Sequence, residues 1–274
     1  MDTRVNPPDG LHYDLPFAEY LRLPRVSAHG LMQIERSPMH YRHAIDTPHD
    51  PTPAQALGTL AHMAILEPDR YERCVHVAPE VDRRTKAGKA ADQEFRDALA
   101  DDPDAVVASQ SQHDLARGMA DAVRAQPYAA ALLEDGAAEV SMLATDPETG
   151  TPLKSRADWV CGAHQAIVDV KTAKDACDDA FSRAAGTYRY HLQAALYQDV
   201  AALCGLGERA FVFLVVESEP PHGVALYQLE DAAMHAGRVR YQRALERYRE
   251  CQKTGEWPGY PREIQPLILP KWSM

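Results

Sequence analysis

Apolar and polar residues in the second half of the chain follow a pattern that predicts a β-sheet. Strand-like segments cover residues 138–144, 152–160 and 166–172, and turn-forming residues separate them. A nearly continuous apolar run at 210–216 is typical of a strand that is covered on both faces. Residues 224–229 are predicted to pair with that run. Together these five segments form the predicted central sheet.

Apolar residues spaced three or four positions apart predict helices in most of the remaining chain. Ser27 and Thr52 stand where a side chain can cap the first turn of a helix, and Pro38 suits a first helical position. Pro68 is expected to end the helix that follows Thr52. The predicted helices cover residues 27–34, 38–46, 53–67, 85–101, 109–126, 128–134, 178–185, 189–204 and 231–253, and residues 74–78 are a candidate short strand.

This order of elements predicts an α/β fold, in which a mixed central β-sheet is flanked by helices and preceded by a helical N-terminal region. The folded domain is expected to span residues 26–255. Residues 1–25 are rich in proline and lack a sustained period, so we expect an irregular N-terminal arm. Residues 256–274 form a predicted proline-rich C-terminal tail.

The composition is that of a soluble globular protein, with 45% apolar and 25% charged residues among 274. The sequence has no run of about eighteen apolar residues, which excludes a membrane span. The N-terminus has no apolar signal core, so we expect the protein in the cytoplasm. The five cysteines are scattered without Cys-x-x-Cys spacing, which argues against disulfides and against zinc or iron–sulfur sites.

The net charge is −11, from 29 lysines and arginines against 40 acidic residues. This excess of acidic residues argues against a broadly basic protein that coats DNA. Basic residues are nevertheless concentrated at 83–86 and 238–249, and acidic residues at 92–104 and 175–179. An acidic exterior around a basic channel is therefore compatible with the sequence.

Two carboxylates and a lysine stand on neighbouring predicted strands. Asp158 lies near the end of one strand, and Asp169 and Lys171 lie two residues apart on the next, so these two side chains leave the same strand face. Carboxylate oxygens suit hard divalent cations such as Mg²⁺ or Mn²⁺. A lysine beside the cation can orient or deprotonate a water molecule that attacks a phosphodiester. The alternative is an ion pair on an exposed edge strand, which stabilises little.

His62, Gln193 and Tyr197 are further candidates on two predicted helices. His62 follows Gly58 by one turn, and a neutral imidazole can join carboxylates around a cation. Gln193 and Tyr197 lie four residues apart on one helical face, where they can contact a phosphate or hold the lysine. Taken singly, each residue has a better explanation without a function. His62 is then a helix histidine with satisfied hydrogen bonds, Gln193 a surface glutamine and Tyr197 a core tyrosine.

Together these residues resemble the PD-(D/E)XK nuclease superfamily in its RecB-like branch. The resemblance is closer still to the exodeoxyribonuclease VIII (RecE-type) nuclease domain, often encoded by prophages, and it covers roughly residues 26–250. Alanine stands at 157 where the family name has proline, and this position supports a turn and does no chemistry. The matching stretches are residues 26–31, 37–41, 57–68, 83–89, 139–141, 154–158, 167–172 and 190–197.

The resemblance implies a metal-dependent active site. A cation (Mg²⁺, with Mn²⁺ as the alternative) is held by an imidazole, two carboxylates and one backbone carbonyl, and a lysine positions the attacking water. The implied metal ligands are His62, Asp158, Asp169 and Val170, and the implied catalytic residues are Asp158, Asp169, Lys171, Gln193 and Tyr197.

Five further residues are candidates for supporting roles. Glu139 either supports the metal ligands or binds a second cation. Arg156 shares a strand face with Asp158, and it either clamps a phosphate or forms a structural salt bridge. The remaining candidates, for contacts with the site or with DNA, are Thr172, Arg84 and Lys86.

The implied activity is hydrolysis of one strand of linear double-stranded DNA from its 5′ end, which leaves 3′ single-stranded tails for recombination. Because relatives act as closed rings that thread DNA, we expect a homo-oligomeric ring, a single-strand annealing partner and no membrane partner. The expected location is the cytoplasm of a bacterial or phage-infected bacterial cell. Two alternatives stay open: an endonuclease or single-strand nuclease on the same fold, and a catalytically inactive protein that binds DNA ends.

Overall fold

A six-stranded mixed sheet lies at the centre of the computed structural model, which describes residues 6–47 and 51–269. A separate pair of short strands, β2 and β3, lies outside this sheet. The eight strands of the described residues are β1 (Gly10–His12), β2 (Val75–Val77), β3 (Val106–Ala108), β4 (Gly136–Thr145), β5 (Pro152–Cys161), β6 (Ala166–Ala173), β7 (Ala210–Glu217) and β8 (Val224–Gln228).

Eleven helices of the described residues surround the sheets. None of them is long and apolar enough to cross a lipid bilayer. In chain order they are α1 (Phe17–Arg22), α2 (Ala28–Arg36), α3 (Pro38–Asp46), α4 (Pro53–Leu66), α5 (Pro68–Cys74), α6 (Lys86–Leu99), α7 (Gln110–Ala125), α8 (Pro127–Glu134), α9 (Asp178–Thr187), α10 (Tyr190–Leu203) and α11 (Asp231–Thr254).

The central sheet has the strand order β1-β4-β5-β6-β7-β8. Strands β4, β5 and β6 are antiparallel neighbours, whereas β7 runs parallel to β6. A parallel pair requires a crossover connection, and helices α9 and α10 provide it. At the two edges, β1 pairs antiparallel with β4 and β8 with β7. The predicted α/β fold with a mixed central sheet is therefore confirmed.

Alternate side chains of β6 and β7 enter two apolar cores, one on each face of the sheet. Ile167 and Phe213 belong to the core that includes residues of α2, α10 and α11. Val168 and Leu214 belong to the core that includes residues of α4 and α7. Because side chains alternate along a strand, Asp169 shares the face of Ile167. This face is the one that α10 covers.

Strands β5 and β6 separate at Asp158. Their backbone ladder joins residues 159–161 to residues 166–168. Beyond the ladder, the N–H of Val170 donates a hydrogen bond to Asp158 Oδ2 at 2.7 Å. A side chain thus takes the place of a strand carbonyl. The resulting gap lets residues from other elements reach both strands.

The N-terminal arm is more ordered than the sequence predicts. The expected irregular arm, residues 1–25, contains strand β1 and helix α1, and residues 1–5 lie outside the described residues. Both elements are too short to show a period. Contacts distant in sequence hold them, because the Lys154 ammonium donates to the carbonyls of Tyr20, Leu21 and Leu23 at 2.9, 3.0 and 3.1 Å. These bonds give an additional donor to carbonyl groups at and just after the end of α1, where the regular helical hydrogen bonds stop.

Smaller differences arise where elements are short. The segment 74–78, predicted as a strand, starts within α5 and becomes strand β2 at Val75. Pro68 ends α4 as predicted, but it also stands in the first turn of α5, where its missing N–H has no helical partner to lose. Strand β3 has three residues and pairs in parallel with β2. Such a short strand leaves no pattern in the sequence.

The C-terminal tail forms no helix or strand over residues 256–269, and residues 270–274 lie outside the described residues. Its start is anchored by Trp257, whose ring stacks on Tyr41 of α3 at 5.3 Å and lies 5.9 Å from Tyr248 of α11. Helix α3 itself ends at Asp46, as the predicted range 38–46 has it, and Pro48 lies outside the described residues.

Candidate active site

The chemistry-bearing residues meet at the gap between β5 and β6. Helix α4 brings His62 to one side, with its imidazole Nδ1 3.6 Å from Asp158 Oδ2. Helix α10 brings Gln193 to the other, where its Nε2 donates to Asp169 Oδ1 at 2.7 Å. Segments about a hundred residues apart in the chain thus converge on the same few side chains. This is the convergence that the motif spacing predicts.

Asp169 and Lys171 form a buried ion pair. Asp169 is 1% exposed, and its Oδ2 contacts the Lys171 ammonium. The ammonium also lies 3.5 Å from Gln193 Oε1 and 4.8 Å from the centre of the Tyr190 ring. Burial lowers the pKa of Lys171, but the carboxylates of Asp169 and Asp158 outweigh this effect and raise the pKa overall. The lysine therefore carries a proton and is held in one position.

His62, Glu139 and Asp158 form a compact group of metal-binding side chains, in which one ligand atom from each lies within 4.8 Å of the others. Burial, and then the Lys171 ammonium, lower the pKa of His62, so the imidazole is neutral and able to bind a cation. Burial and the Asp169 carboxylate raise the pKa of Asp158 well above its usual range. A divalent cation would offset this repulsion, and the donor set suits a hard one.

Glu139 joins this group through an irregular backbone. Its φ of 55° is rare for a residue that has a side chain. Strand β4 pairs with β5 on both sides of it, at Ala138 and Val140. Conformations of this kind persist where surrounding contacts hold them, often at functional sites. From the sequence, Glu139 has a supporting role, and the structure places it beside His62 and Asp158.

Asp169 is not a member of that compact group among the described residues. The sequence motif implies that it is a metal ligand, yet its carboxylate is engaged by Lys171 and Gln193. Direct binding of the cation by Asp169 stays a prediction. So does binding by the carbonyl of Val170, whose N–H is the group that contacts Asp158.

Arg156 has several protein partners. Its Nε donates to Glu139 Oε2 at 2.6 Å, and its Nη1 donates to Ser141 Oγ at 2.7 Å and to the carbonyl of Leu15 at 2.8 Å. The guanidinium also lies 5.7 Å from the centre of the Phe17 ring. These contacts favour a structural salt bridge over a phosphate clamp. Arg156 holds Glu139 and ties the N-terminal segment to the sheet.

Tyr197 lies one helical turn beyond Gln193 on α10. Burial, and then the neighbouring Tyr20, raise the pKa of its phenol well above the usual range. The hydroxyl therefore keeps its proton and can serve as a hydrogen-bond donor. Its place beside Gln193 is the one that the four-residue spacing predicts.

The other supporting candidates lie away from the acidic group. Thr172 sits where β6 meets α4, because a Cβ added at Gly58 would lie 3.5 Å from Thr172 Oγ1. Arg84 and Lys86 are exposed at the start of α6, and neither lines the cavity that contains Asp158. The structure does not bring these two basic residues to the site.

A cavity of about 1020 Å³ opens onto the acidic group. Its volume is slightly above the range of about 300–1,000 Å³ that is usual for ligand pockets, so it has room for a large ligand. Phe17 and Tyr20 of α1 form part of its lining. Sequence reasoning missed these two residues, because six helical residues within a proline-rich arm give no periodic signal.

We expect Glu139→Gln to weaken cation binding by at least about 10- to 100-fold, the loss found even for residues that only support the metal ligands. The amide still accepts a hydrogen bond from Arg156 but loses the charge that attracts the cation. The measurement is the rise in melting temperature as Mg²⁺ is added. Glu134→Gln, at the exposed end of α8, is the matched control. An equal response to Mg²⁺ in both variants would remove Glu139 from the site.

Comparison with protein families gives one match over most of the chain. The model described as "PDDEXK-like domain of unknown function (DUF3799)" matches residues 27–269. The matched region contains all the residues of the candidate site. No curated protein matches the chain in sequence.

A comparison with solved structures gives one match with a similar fold and a more distant one. A proposed exonuclease from Eubacterium rectale has a TM-score of 0.55 and 12% identity, over 87% of this chain and 91% of that one. A phage-related exonuclease from Haemophilus somnus 129PT has a TM-score of 0.33 and 12% identity, over 85% and 96%. The first match shows a shared fold, and the second is too distant to support an inference. Neither distinguishes the exodeoxyribonuclease VIII type from other relatives.

Proposed function

Because the chain belongs to the PDDEXK-like domain family, whose fold is that of PD-(D/E)XK nucleases, we propose that it is a metal-dependent exodeoxyribonuclease. The observation that carries this proposal is the convergence of His62, Glu139 and Asp158 beside the Asp169–Lys171 pair. A cation site next to a fixed lysine is suited to phosphodiester hydrolysis. The finer assignment to the exodeoxyribonuclease VIII type rests on the sequence motifs.

We assign cation binding to His62, Glu139 and Asp158, with Asp169 and Val170 as the further ligands that the motif implies. Mg²⁺ is the proposed cation and Mn²⁺ the alternative, because both prefer carboxylate oxygens. When bound, such a cation polarises the scissile phosphate and lowers the pKa of a water molecule. The family match and the donor chemistry both support this assignment.

Lys171 is proposed to orient the attacking water. Its ammonium carries a proton and is fixed between Asp169 and Gln193, so it can donate a hydrogen bond but is not free to accept one. Orientation is therefore favoured over deprotonation of the water by this residue. Tyr197, which keeps its phenolic proton, is placed to donate a hydrogen bond beside Gln193.

The proposed substrate is linear double-stranded DNA, degraded from 5′ to 3′ to leave 3′ single-stranded tails. The motif resemblance supports this choice, and the fold neighbour from Eubacterium rectale is itself a proposed exonuclease. The cavity at the acidic group, with a volume of about 1020 Å³, has room for part of a DNA strand.

The test is digestion of end-labelled linear duplex and of circular duplex, with Mg²⁺ and with EDTA. We expect release of labelled nucleotides from 5′-labelled linear DNA, no cleavage of the circle and no reaction in EDTA. Cleavage of the circle would indicate an endonuclease. Binding of linear DNA ends without digestion under any metal condition would indicate an inactive end-binding protein.

We also propose that copies of the chain assemble into a ring and that an annealing protein takes up the single strand in the cytoplasm. The surface of helix α6 supports the proposal of a neighbouring copy. Its apolar residues Ala91, Phe95 and Leu99 lie on one helical face and are half-buried. None of these three side chains belongs to the apolar cores of the described residues. Sedimentation that shows monomers alone at micromolar concentration would refute the ring.

A further inference from the structure

A second cavity lies beside the proposed active site. It has a volume of about 440 Å³, and it is lined by residues of α2, of α10 and of the segment between α9 and α10. Gln193, which donates to Asp169, is part of its lining, so the cavity reaches the catalytic pair. Four residues line both this cavity and the larger one, which therefore share a wall: Ala28, His29, Gln33 and Tyr197.

Two tyrosines of this cavity lead from the surface to the catalytic lysine. Tyr188 is 61% exposed, and its ring stacks on that of Tyr190 at 5.8 Å with an interplanar angle of 26°. The Tyr190 ring centre in turn lies 4.8 Å from the Lys171 ammonium. An exposed aromatic face at the mouth of a polar cavity is a surface on which a nucleobase can stack.

Two arginines supply positive charge to the same cavity. The Arg189 guanidinium is paired with Glu35 at 2.5 Å, but the same carboxylate also pairs with Arg240 at 2.5 Å, so it compensates only part of the charge of Arg189. Arg36 is exposed, and no hydrogen bond or ion pair involves its side chain within the described part of the chain. A guanidinium without a partner, lining the same cavity as an exposed ring, can bind a phosphate with two parallel hydrogen bonds.

We propose that this cavity is a subsite for one nucleotide of single-stranded DNA, with the base stacked on Tyr188 and a phosphate bound by Arg36. The inference rests on the proposed nuclease function. It adds a position for the DNA strand next to the scissile bond. The volume of 440 Å³ is within the usual range of about 300–1,000 Å³ for ligand sites. Stacking on a tyrosine accepts any base, which suits an enzyme that digests DNA of any sequence.

The test is the affinity of the full chain for a fluorescein-labelled oligothymidylate, measured by anisotropy in EDTA so that no hydrolysis occurs. We expect Tyr188→Ala and Arg36→Ala each to weaken binding about five- to tenfold, as for loss of one stacking or phosphate contact. Tyr188→Trp retains the parental affinity, because indole also stacks. Arg36→Ala lowers the slope of log affinity against log salt by about 0.7, and Tyr188→Ala leaves it unchanged.

Tyr128→Ala and Arg243→Ala are the matched controls, because both residues are exposed and neither lines a cavity of the site. Parental affinity in Tyr188→Ala and Arg36→Ala, or equal losses in the controls, would overturn the subsite. Digestion of linear duplex by the parent protein in Mg²⁺ is followed in parallel. If the parent digests DNA but both cavity variants bind the oligonucleotide with parental affinity, the subsite is refuted and the nuclease proposal stands. Failure of the parent to digest DNA refutes the nuclease proposal, while the binding data still decide the subsite.

Discussion

Asp158→Asn is expected to lower the rate of DNA hydrolysis by at least about a thousandfold while leaving the folded protein as stable as before. A bound cation supplies several kcal/mol of transition-state stabilisation, and about 1.4 kcal/mol corresponds to a tenfold change in rate. The carboxylate has a raised pKa because it is buried beside Asp169, so its charge is unfavourable in the absence of a cation. The amide retains an oxygen that can accept the hydrogen bond from Val170.

A loss of activity without a loss of stability in Asp158→Asn would separate a catalytic role from a structural one. The measurements are initial rates on end-labelled linear duplex in Mg²⁺ and melting temperatures in EDTA. Asp101→Asn, which changes an exposed carboxylate, serves as the control and should match the parent in both. A variant of Asp158 that digests DNA at the parental rate would show that the cation binds elsewhere. A large fall in melting temperature would instead make Asp158 a structural residue.

Lys171→Met should lower activity by about 10²- to 10³-fold, the usual effect of removing one fixed hydrogen-bond donor from an active site. It should also destabilise the fold, because Asp169 is 1% exposed and would lose its positive partner. Removal of one member of a buried ion pair costs about 3–5 kcal/mol. Initial rates on linear duplex and urea unfolding in EDTA measure the two effects. Lys174→Met, three residues further along at an exposed position, is the matched control.

The double variant Asp169→Asn with Lys171→Met tells the two effects apart. Its neutral amide can still accept the hydrogen bond from Gln193 and leaves no unpaired buried charge. We expect much of the lost stability to return, with activity still absent. Recovery of activity along with stability would mean that Lys171 acts through folding alone. In that case the lysine would have no part in positioning water.

Five of the six strands of the central sheet were predictable because their pattern is local, and only β1 in the N-terminal arm was not. Alternation along β6 placed Asp169 and Lys171 on one face, and the continuous apolar run of β7 indicated a strand covered on both sides. Helix starts were predictable for the same reason, since Ser27 and Thr52 cap α2 and α4 through hydrogen bonds to residues three positions ahead. Motif order then predicted that His62 would meet the acidic strands.

The position of Glu139 in the site could not be predicted from the two-residue alternation of side chains along a strand. Its side chain reaches His62 and Asp158 through a left-handed backbone conformation, which alternation along a strand does not foresee. The contacts of Arg156 with Glu139 and with the carbonyl of Leu15 likewise join residues far apart in sequence. These contacts favour a structural salt bridge over a phosphate clamp as the role of Arg156.

By itself the sequence determined five strands of the central sheet, most helices and the candidate residues of the site, because hydrophobic period, capping and motif spacing act over a few neighbouring positions. The tertiary structure alone decided which of those residues share a cation site, how the arm with α1 closes one wall of the cavity, and that Tyr188 and Arg36 border a second one. Those features depend on contacts between distant segments, where burial and charge are set by the folded chain as a whole.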